Sequence, residues 1–412
     1  MPLLVPSHLS LLAVGAVLLA AAFVATVISA LVPYYARLVR GASRLAALDG
    51  LRGLLALGVC VHHSAIVYNL VRLNVWNHPA NVLFEYLGPG CVSLFFMASG
   101  FLFWSKLLDG KLDVEAFFSS RLRRVMPMYL ASATGVLLVV GWLSKWHVNV
   151  PAPQLRKEVT LWLLGGFFDV PGINGISTVP INAGVTWSLV YEWWFYFSLP
   201  ILSLFVPVRR FLVGLLVFLL LWWAAPSHVP EYVPGFDRSL GFAMGMGTAY
   251  FCRLRGRRWL QRRGAAALAL LWIAGCLVLR VYSHLPAIPF EMVGFPLFAV
   301  VASGNNCFKL LTRRWVLLLG HVSYSVYLSH GLALYLLVQR GLGYTRVVGM
   351  GVIEYWAYIA GVVIPCVVAC AALTYRWIEA PLMRSRPLER RRPGGIAPRS
   401  HEARLVGETR ST

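Results

Sequence analysis

Apolar residues run along this chain in long blocks separated by shorter polar segments. A helical block of about twenty apolar residues spans a bilayer core. On that basis the pattern predicts eleven membrane helices, at roughly 10–33, 50–71, 84–107, 127–146, 187–205, 211–226, 238–252, 265–282, 289–304, 321–340 and 352–375. The blocks near 211 and 238 are the shortest. Gly241, Gly245 and Gly247 mark the second of these as close-packed or broken. The polar segments alternate in character. One set is basic: Arg37, Arg40 and Arg44; Lys106 to Arg124; Arg209 and Arg210; Arg253 to Arg263; Lys309 to Arg314; and the stretch from Arg376. The other set carries little charge. Lys and Arg beside a span stay cytoplasmic, so the alternation predicts an N-terminus outside and a C-terminus inside.

Composition agrees with that reading. Of 412 residues 58% are hydrophobic and 13% charged, and the mean hydropathy is +0.69, far from the balance of a soluble domain. An all-α polytopic membrane protein is expected. The net charge of +21, from 37 Lys plus Arg against 16 Asp plus Glu, lies between the apolar blocks rather than on one binding face, so membrane lipids are expected as neighbours and no nucleic acid as a partner. The seven cysteines are scattered and show neither a disulfide framework nor a metal spacing. Ala20 to Ala22 resembles a cleavage site, but no Lys or Arg precedes Arg37 and the apolar run is long, which predicts a retained helix.

Ionisable side chains inside a membrane helix are costly and mark functional sites. The second block, LDGLRGLLALGVCVHHSAIVY, carries Arg52 and His63 eleven residues apart. That is close to three turns, so both project from one face with roughly 16 Å of rise between them. Asp49 suits an N-cap. His63 is a candidate general base near mid-membrane, with a cation three turns below for an anionic group; a packed polar residue is the alternative. His62 points some 100° away and is the weaker candidate. Glu192, in WSLVYEWWFYF, is expected at the depth of His63, where a carboxylate orients the ring or forms a structural ion pair. Trp187, Trp193 and Trp194 are either belt aromatics or a stacking platform, and Trp187 and Ser188 are candidate substrate contacts. In HVSYSVYLSHGLALYLL, Tyr324 and His330 belong to a polar stripe that serves either interhelical bonding or substrate. Arg121 and Arg124 share a helical face beside the basic headgroup zone and could grip phosphate. The long charge-poor segment 147–186 is either a binding surface or a re-entrant or interfacial cover.

These motifs, in this order, resemble the acyltransferase-3 family of integral-membrane O-acyltransferases. The resemblance rests on LDGLRGLLALGVCVHH, SLFFMASGFLF, RLRRVMPMY, WSLVYEWWFY, LGHVSYSVYLSH and TYRWIEAPLMR, which together cover residues 48 to 384. It implies a ten-helix core, so residues 1–40 are read as an additional N-terminal helix, 41–384 as the acyltransferase domain and 385–412 as a basic, disordered cytoplasmic tail. The hydrolase-like domain that many relatives carry after the core is not expected within these residues. Also implied is transfer of an acyl group, usually acetyl from acetyl-CoA, to a hydroxyl of a carbohydrate or glycolipid acceptor at a bacterial inner membrane. By matched position, Arg52 and His63 take the essential Arg and His, Arg121 and Arg124 the basic pair, and Glu192 the glutamate after WSL. With Arg52, Arg121 and Arg124 on the phosphates of coenzyme A, the pantetheine arm would span the roughly 16 Å to His63. His63 then acts as base or, in a variant, as a covalent acyl carrier, with Glu192 orienting it. A glycan or lipid precursor transporter is the alternative, and a non-catalytic subunit of a polysaccharide synthase a third reading.

Overall fold

The computed structural model describes residues 7–41, 45–77, 79, 81–110, 113–169, 172–224, 236–253, 258–282 and 288–384. The tail 385–412 and most of the charge-poor segments 227–237 and 283–288 lie outside the described residues. The rest is almost entirely helical, as the apolar blocks require: in a bilayer core every backbone polar group must be satisfied within its own segment.

The elements follow in chain order. The first helix, α1 (Ser7–Leu31), is continued after Val32 by a short basic helix, α2 (Pro33–Arg40). Then come α3 (Ala46–Leu73), the short α4 (Val82–Leu87), α5 (Pro89–Leu108) and α6 (Val114–Leu143). After α7 (Ala152–Leu163) a two-stranded hairpin, β1 (Gly172–Ile173) and β2 (Ile176–Ser177), leads into α8 (Val179–Asn182) and α9 (Trp187–Leu202). Four further helices follow: α10 (Val208–Ala224), α11 (Phe236–Phe251), α12 (Arg263–Tyr282) and α13 (Phe290–Ala302). The last part comprises α14 (Arg314–His321), α15 (Ser323–Leu334) with a π-helical extension to Leu342, α16 (Gly343–Gly349), and a long interrupted helix formed by α17 (Val352–Tyr358), α18 (Ile364–Thr374) and α19 (Ala380–Arg384), joined by π-helical turns.

Among the described residues six helices are long and apolar enough to cross a membrane: Leu9–Leu31, Ala46–Leu73, Val82–Leu108, Val114–Leu143, Arg263–Tyr282 and Val352–Met383. Phe290–Ala302 is a shorter apolar helix. The remaining apolar blocks also fold as helices, α9, α10, α11 and the α14–α15 pair, so the protein is an all-α polytopic membrane protein. Helix α3 lies at the centre. Its most apolar stretch is 89% buried, against 22% for those of α1 and α12, which stand at the periphery. Helix α1 inserts Val17, Ala21 and Ala25 into the cluster formed with Ala56, Val61, Leu318 and Val367, and Tyr35 of α2 donates a hydrogen bond to the carbonyl of Ala372.

Two local features differ from the sequence reading, and a third decides between its alternatives. Asp49 is not an N-cap, because α3 starts at Ala46 with Leu45 as its cap; the carboxylate sits in the first turn, where it still complements the helix dipole. Helix α6 begins at Val114, well before the expected 127. Asp113 caps it through a hydrogen bond from the Ala116 amide (3.1 Å), so Arg121 and Arg124 lie on a rigid helix rather than a loop. Gly241 and Gly245 mark close packing, not a break: a Cβ on Gly245 would come 2.1 Å from the Met97 carbonyl oxygen on α5.

Candidate active site

A cavity of about 240 Å³ opens within the bundle, walled by α3, α5, α6, α9 and α15. Four cations face it: Arg52 from α3, Lys106 from the last turn of α5, and Arg121 and Arg124 from α6. Arg121 lies over the Phe103 ring at 5.0 Å, and its buried Nε makes no hydrogen bond among the described residues. A buried guanidinium nitrogen in that state is an unmet donor. One acid, Glu192, shares the wall. With four cations against one carboxylate, the cavity suits an anion that brings several negative oxygens. The three arginines expected to act together therefore do converge, and Lys106 joins them. Its place in the basic segment gave no reason to single it out.

Glu192 does not reach His63. Its oxygens accept hydrogen bonds from Ser99 (3.0 Å) and Tyr196 (3.1 Å), and it lies at the level of the arginines. Residues 172–186 pack into the bundle, the re-entrant course among the alternatives for segment 147–186, with Ile173, Ile181 and Val185 buried. Helix α8 lies against α15, so close that a Cβ on Gly331 would meet the Asn182 carbonyl carbon at 2.2 Å. Helix α9 consequently begins deep: Ser188 is hydrogen-bonded to Tyr327 (2.7 Å), and Glu192 falls one turn deeper. The indole of Trp193 donates to the Gly165 carbonyl (2.9 Å), which makes it a fastening for that segment. Trp187 packs against Phe96 and Tyr191 and is not on the cavity wall, whereas Ser188 and Tyr324 are. Tyr324 donates to the Val125 carbonyl (2.9 Å).

His63 and His330 meet above this cavity, toward the charge-poor end. His63 Nδ1 lies 3.0 Å from His330 Nε2. His330 is fully buried, and its Nδ1 lies 3.1 Å from the Val326 carbonyl oxygen. His330 thus contacts His63 and is not on the cavity wall. The His63 ring is also 6.3 Å from that of Trp76, in the connection after α3 where Asn74 takes the left-handed conformation and reverses the chain. The sequence reading did not single out Trp76. His62 is a structural residue, with Nδ1 2.7 Å from the Phe84 carbonyl oxygen. Between the cavity and the histidine pair stand Phe95 and Tyr327, both on the cavity wall; the Tyr327 ring is 6.1 Å from His330. Helix α15 is held in place from the far side by Glu379, a buried carboxylate that accepts from Ser325, while Thr374 donates to the same hydroxyl (2.9 Å). The motif TYRWIEAPLMR contains Glu379, but its role needed the fold.

Fold and site together define a polytopic membrane protein with a polybasic cavity inside its bundle and a histidine pair above it. The family model described as an acyltransferase domain matches residues 45–375, most of the chain, and the chain belongs to the acyltransferase-3 family of membrane O-acyltransferases. It is similar to the exopolysaccharide production protein ExoZ of Rhizobium meliloti, with 27% identity over 333 residues that cover 77% of this chain and 96% of that protein. It is also similar to nodulation protein 10 of Rhizobium leguminosarum bv. viciae, with 26% identity over 328 residues that cover 72% of this chain and 83% of that one. No solved structure matches it.

Proposed function

We propose that this acyltransferase takes acetyl from acetyl-CoA on the cytoplasmic side of a bacterial inner membrane and transfers it to a hydroxyl of a carbohydrate or glycolipid acceptor, with His63 as general base. The observation that carries this reading is the convergence of Arg52, Lys106, Arg121 and Arg124 on one cavity beneath the His63 face of α3. Phosphates of coenzyme A bind the arginines, which as planar forks suit them. The pantetheine arm rises between α3 and α15, and the thioester reaches His63 once the Phe95 and Tyr327 side chains yield. Glu192, held by Ser99 and Tyr196, sets the charge balance of the donor site and does not orient the base. The positive-inside pattern supports an outer N-terminus and an inner C-terminus, and the name of the rhizobial relative, exopolysaccharide production protein, supports a polysaccharide acceptor.

In the transfer the acceptor hydroxyl gives its proton to His63 as its oxygen bonds the thioester carbonyl carbon. The carbon–sulfur bond then breaks, and the leaving thiolate takes the proton from His63. A positioned base of this kind contributes about 100- to 10,000-fold to rate. The test is transfer of label from radiolabelled acetyl-CoA to extracted glycans and glycolipids, in membranes carrying the wild type or His63→Ala at equal expression. Label that falls by that factor in the variant supports the reading; undiminished transfer by His63→Ala overturns it. Wild-type membranes that label no glycan, even with native-host acceptors added, would favour the transporter.

A further inference from the structure

The hydrogen bonds around the histidine pair fix where its protons sit. His330 has an acceptor at each ring nitrogen or a ring nitrogen to share: the Val326 carbonyl oxygen at 3.1 Å from Nδ1 and His63 Nδ1 at 3.0 Å from Nε2. A carbonyl oxygen only accepts, so His330 Nδ1 carries the hydrogen. The ring is fully buried, an environment that holds an imidazole neutral, and a neutral imidazole has one N–H. His330 Nε2 is therefore a lone pair, and the hydrogen between the two rings belongs to His63 Nδ1. In a neutral His63, the form a general base requires, the remaining nitrogen, Nε2, is then the one with a lone pair.

We propose that His330 is a positioning residue: through Val326 it holds His63 in the Nδ1–H tautomer, so that Nε2 is the atom that accepts the acceptor's proton. The proposal rests on the reading of His63 as the base. It replaces the carboxylate of familiar triads with a neutral acceptor, which suits a site buried in the bundle, where an uncompensated anion is expensive. When Nε2 takes the proton from the hydroxyl, the imidazolium keeps its Nδ1–H on the His330 lone pair. When the thiolate leaves, Nε2 returns that proton to sulfur, and the pair regains its starting tautomers. His330 itself gains and loses nothing. The geometry is prepared at a distance by α3 and α14, whose glycines bring the two chains together ten residues earlier, at Gly53 and Gly320.

Two measurements test this. The first is nitrogen-15 NMR of histidine-labelled full-length protein in liposomes, with the His63 signals assigned as those missing from His63→Asn. The expected wild-type result is His63 protonated at Nδ1 and unprotonated at Nε2; a His63 ring protonated at Nε2 overturns the proposal whether or not transfer is detected. The second compares His330→Phe, which removes the acceptor, with His330→Gln, whose side-chain carbonyl can replace it. In His330→Phe kcat is expected to fall roughly 100-fold while the KM for acetyl-CoA stays within about twofold, and His330→Gln is expected to recover about a tenth or more of wild-type kcat. A His330→Phe enzyme with wild-type kcat, or a His330→Gln enzyme no better than His330→Phe, overturns it. Should His330→Phe fail to accumulate, the wild-type tautomer and His330→Gln decide. If the wild type transfers no acetyl at all, the enzyme reading fails while the tautomer result still stands on its own.

Discussion

Gly53 of α3 and Gly320 of α14 lie in backbone contact: a Cβ on Gly53 would come 2.5 Å from the Gly320 nitrogen, and one on Gly320 would come 2.3 Å from the Asp49 carbonyl oxygen. The two glycines are separated by the same 267 residues that separate His63 from His330. The helices run in parallel from this crossing, so the close approach at the basic end sets the register in which the two imidazoles meet.

Adding a methyl at that crossing forces backbone apart, at a cost of about 1–3 kcal/mol. Gly53→Ala and Gly320→Ala are therefore expected to lower the unfolding midpoint in detergent and to reduce kcat by misaligning His63 with His330. Gly275→Ala in α12, where a Cβ would meet nothing within 4 Å, serves as the control and should leave both unchanged. Thermal melts with matched turnover assays check this; equal behaviour of all three variants would refute the role given to the crossing.

The cavity cations should act on the donor rather than on the base. Replacing Arg121 or Arg124 by Gln removes a charge-assisted hydrogen bond worth about 1.5–3 kcal/mol, so the KM for acetyl-CoA is expected to rise roughly tenfold or more. The KM for the acceptor should hold. Arg52→Gln should behave likewise. Kinetics with donor and acceptor varied separately distinguish this from a general loss of fold, which would depress both.

Glu379 is a buried carboxylate off the cavity wall, bonded to the Ser325 hydroxyl of α15. Glu379→Ala leaves the buried Ser325 hydroxyl, which itself accepts from Thr374, without its acceptor, a penalty of about 1–3 kcal/mol. Lower accumulation in the membrane is the expected outcome, with the KM for acetyl-CoA unchanged in the protein that does fold. Glu379→Gln keeps an acceptor oxygen at that position and should accumulate more than Glu379→Ala. Quantitative blots beside donor kinetics check both halves.

Much of this protein was legible in its sequence, because the decisive features are local. A membrane helix has to be apolar along its length, so block length and composition mark it without any knowledge of its neighbours. Helix geometry alone puts Arg52 and His63 on one face of α3, and three residues of spacing do the same for Arg121 and Arg124 on α6. Both pairs share a helix as that reasoning put them, with His63 three turns above Arg52, and the three arginines that the family resemblance grouped meet at one cavity.

The partner of each candidate catalytic group was decided only by the tertiary structure. Glu192 was expected beside His63 because depth was counted from the outer end of its span. Residues 172–186 instead descend into the bundle, start α9 at the level of Tyr327 and carry Glu192 down among the arginines. His330 was read as either an interhelical bond or a substrate contact, and the glycine crossing between α3 and α14 delivers it to His63. Lys106 and Glu379 gain their meaning in the same way, one from the cavity it faces and the other from the hydroxyl it holds. Sequence determines what lies along one helix, because covalent geometry fixes it. How closely two helices approach, and where a loop between them settles, depends on packing between residues hundreds of positions apart, and that is where the arrangement around His63 is made.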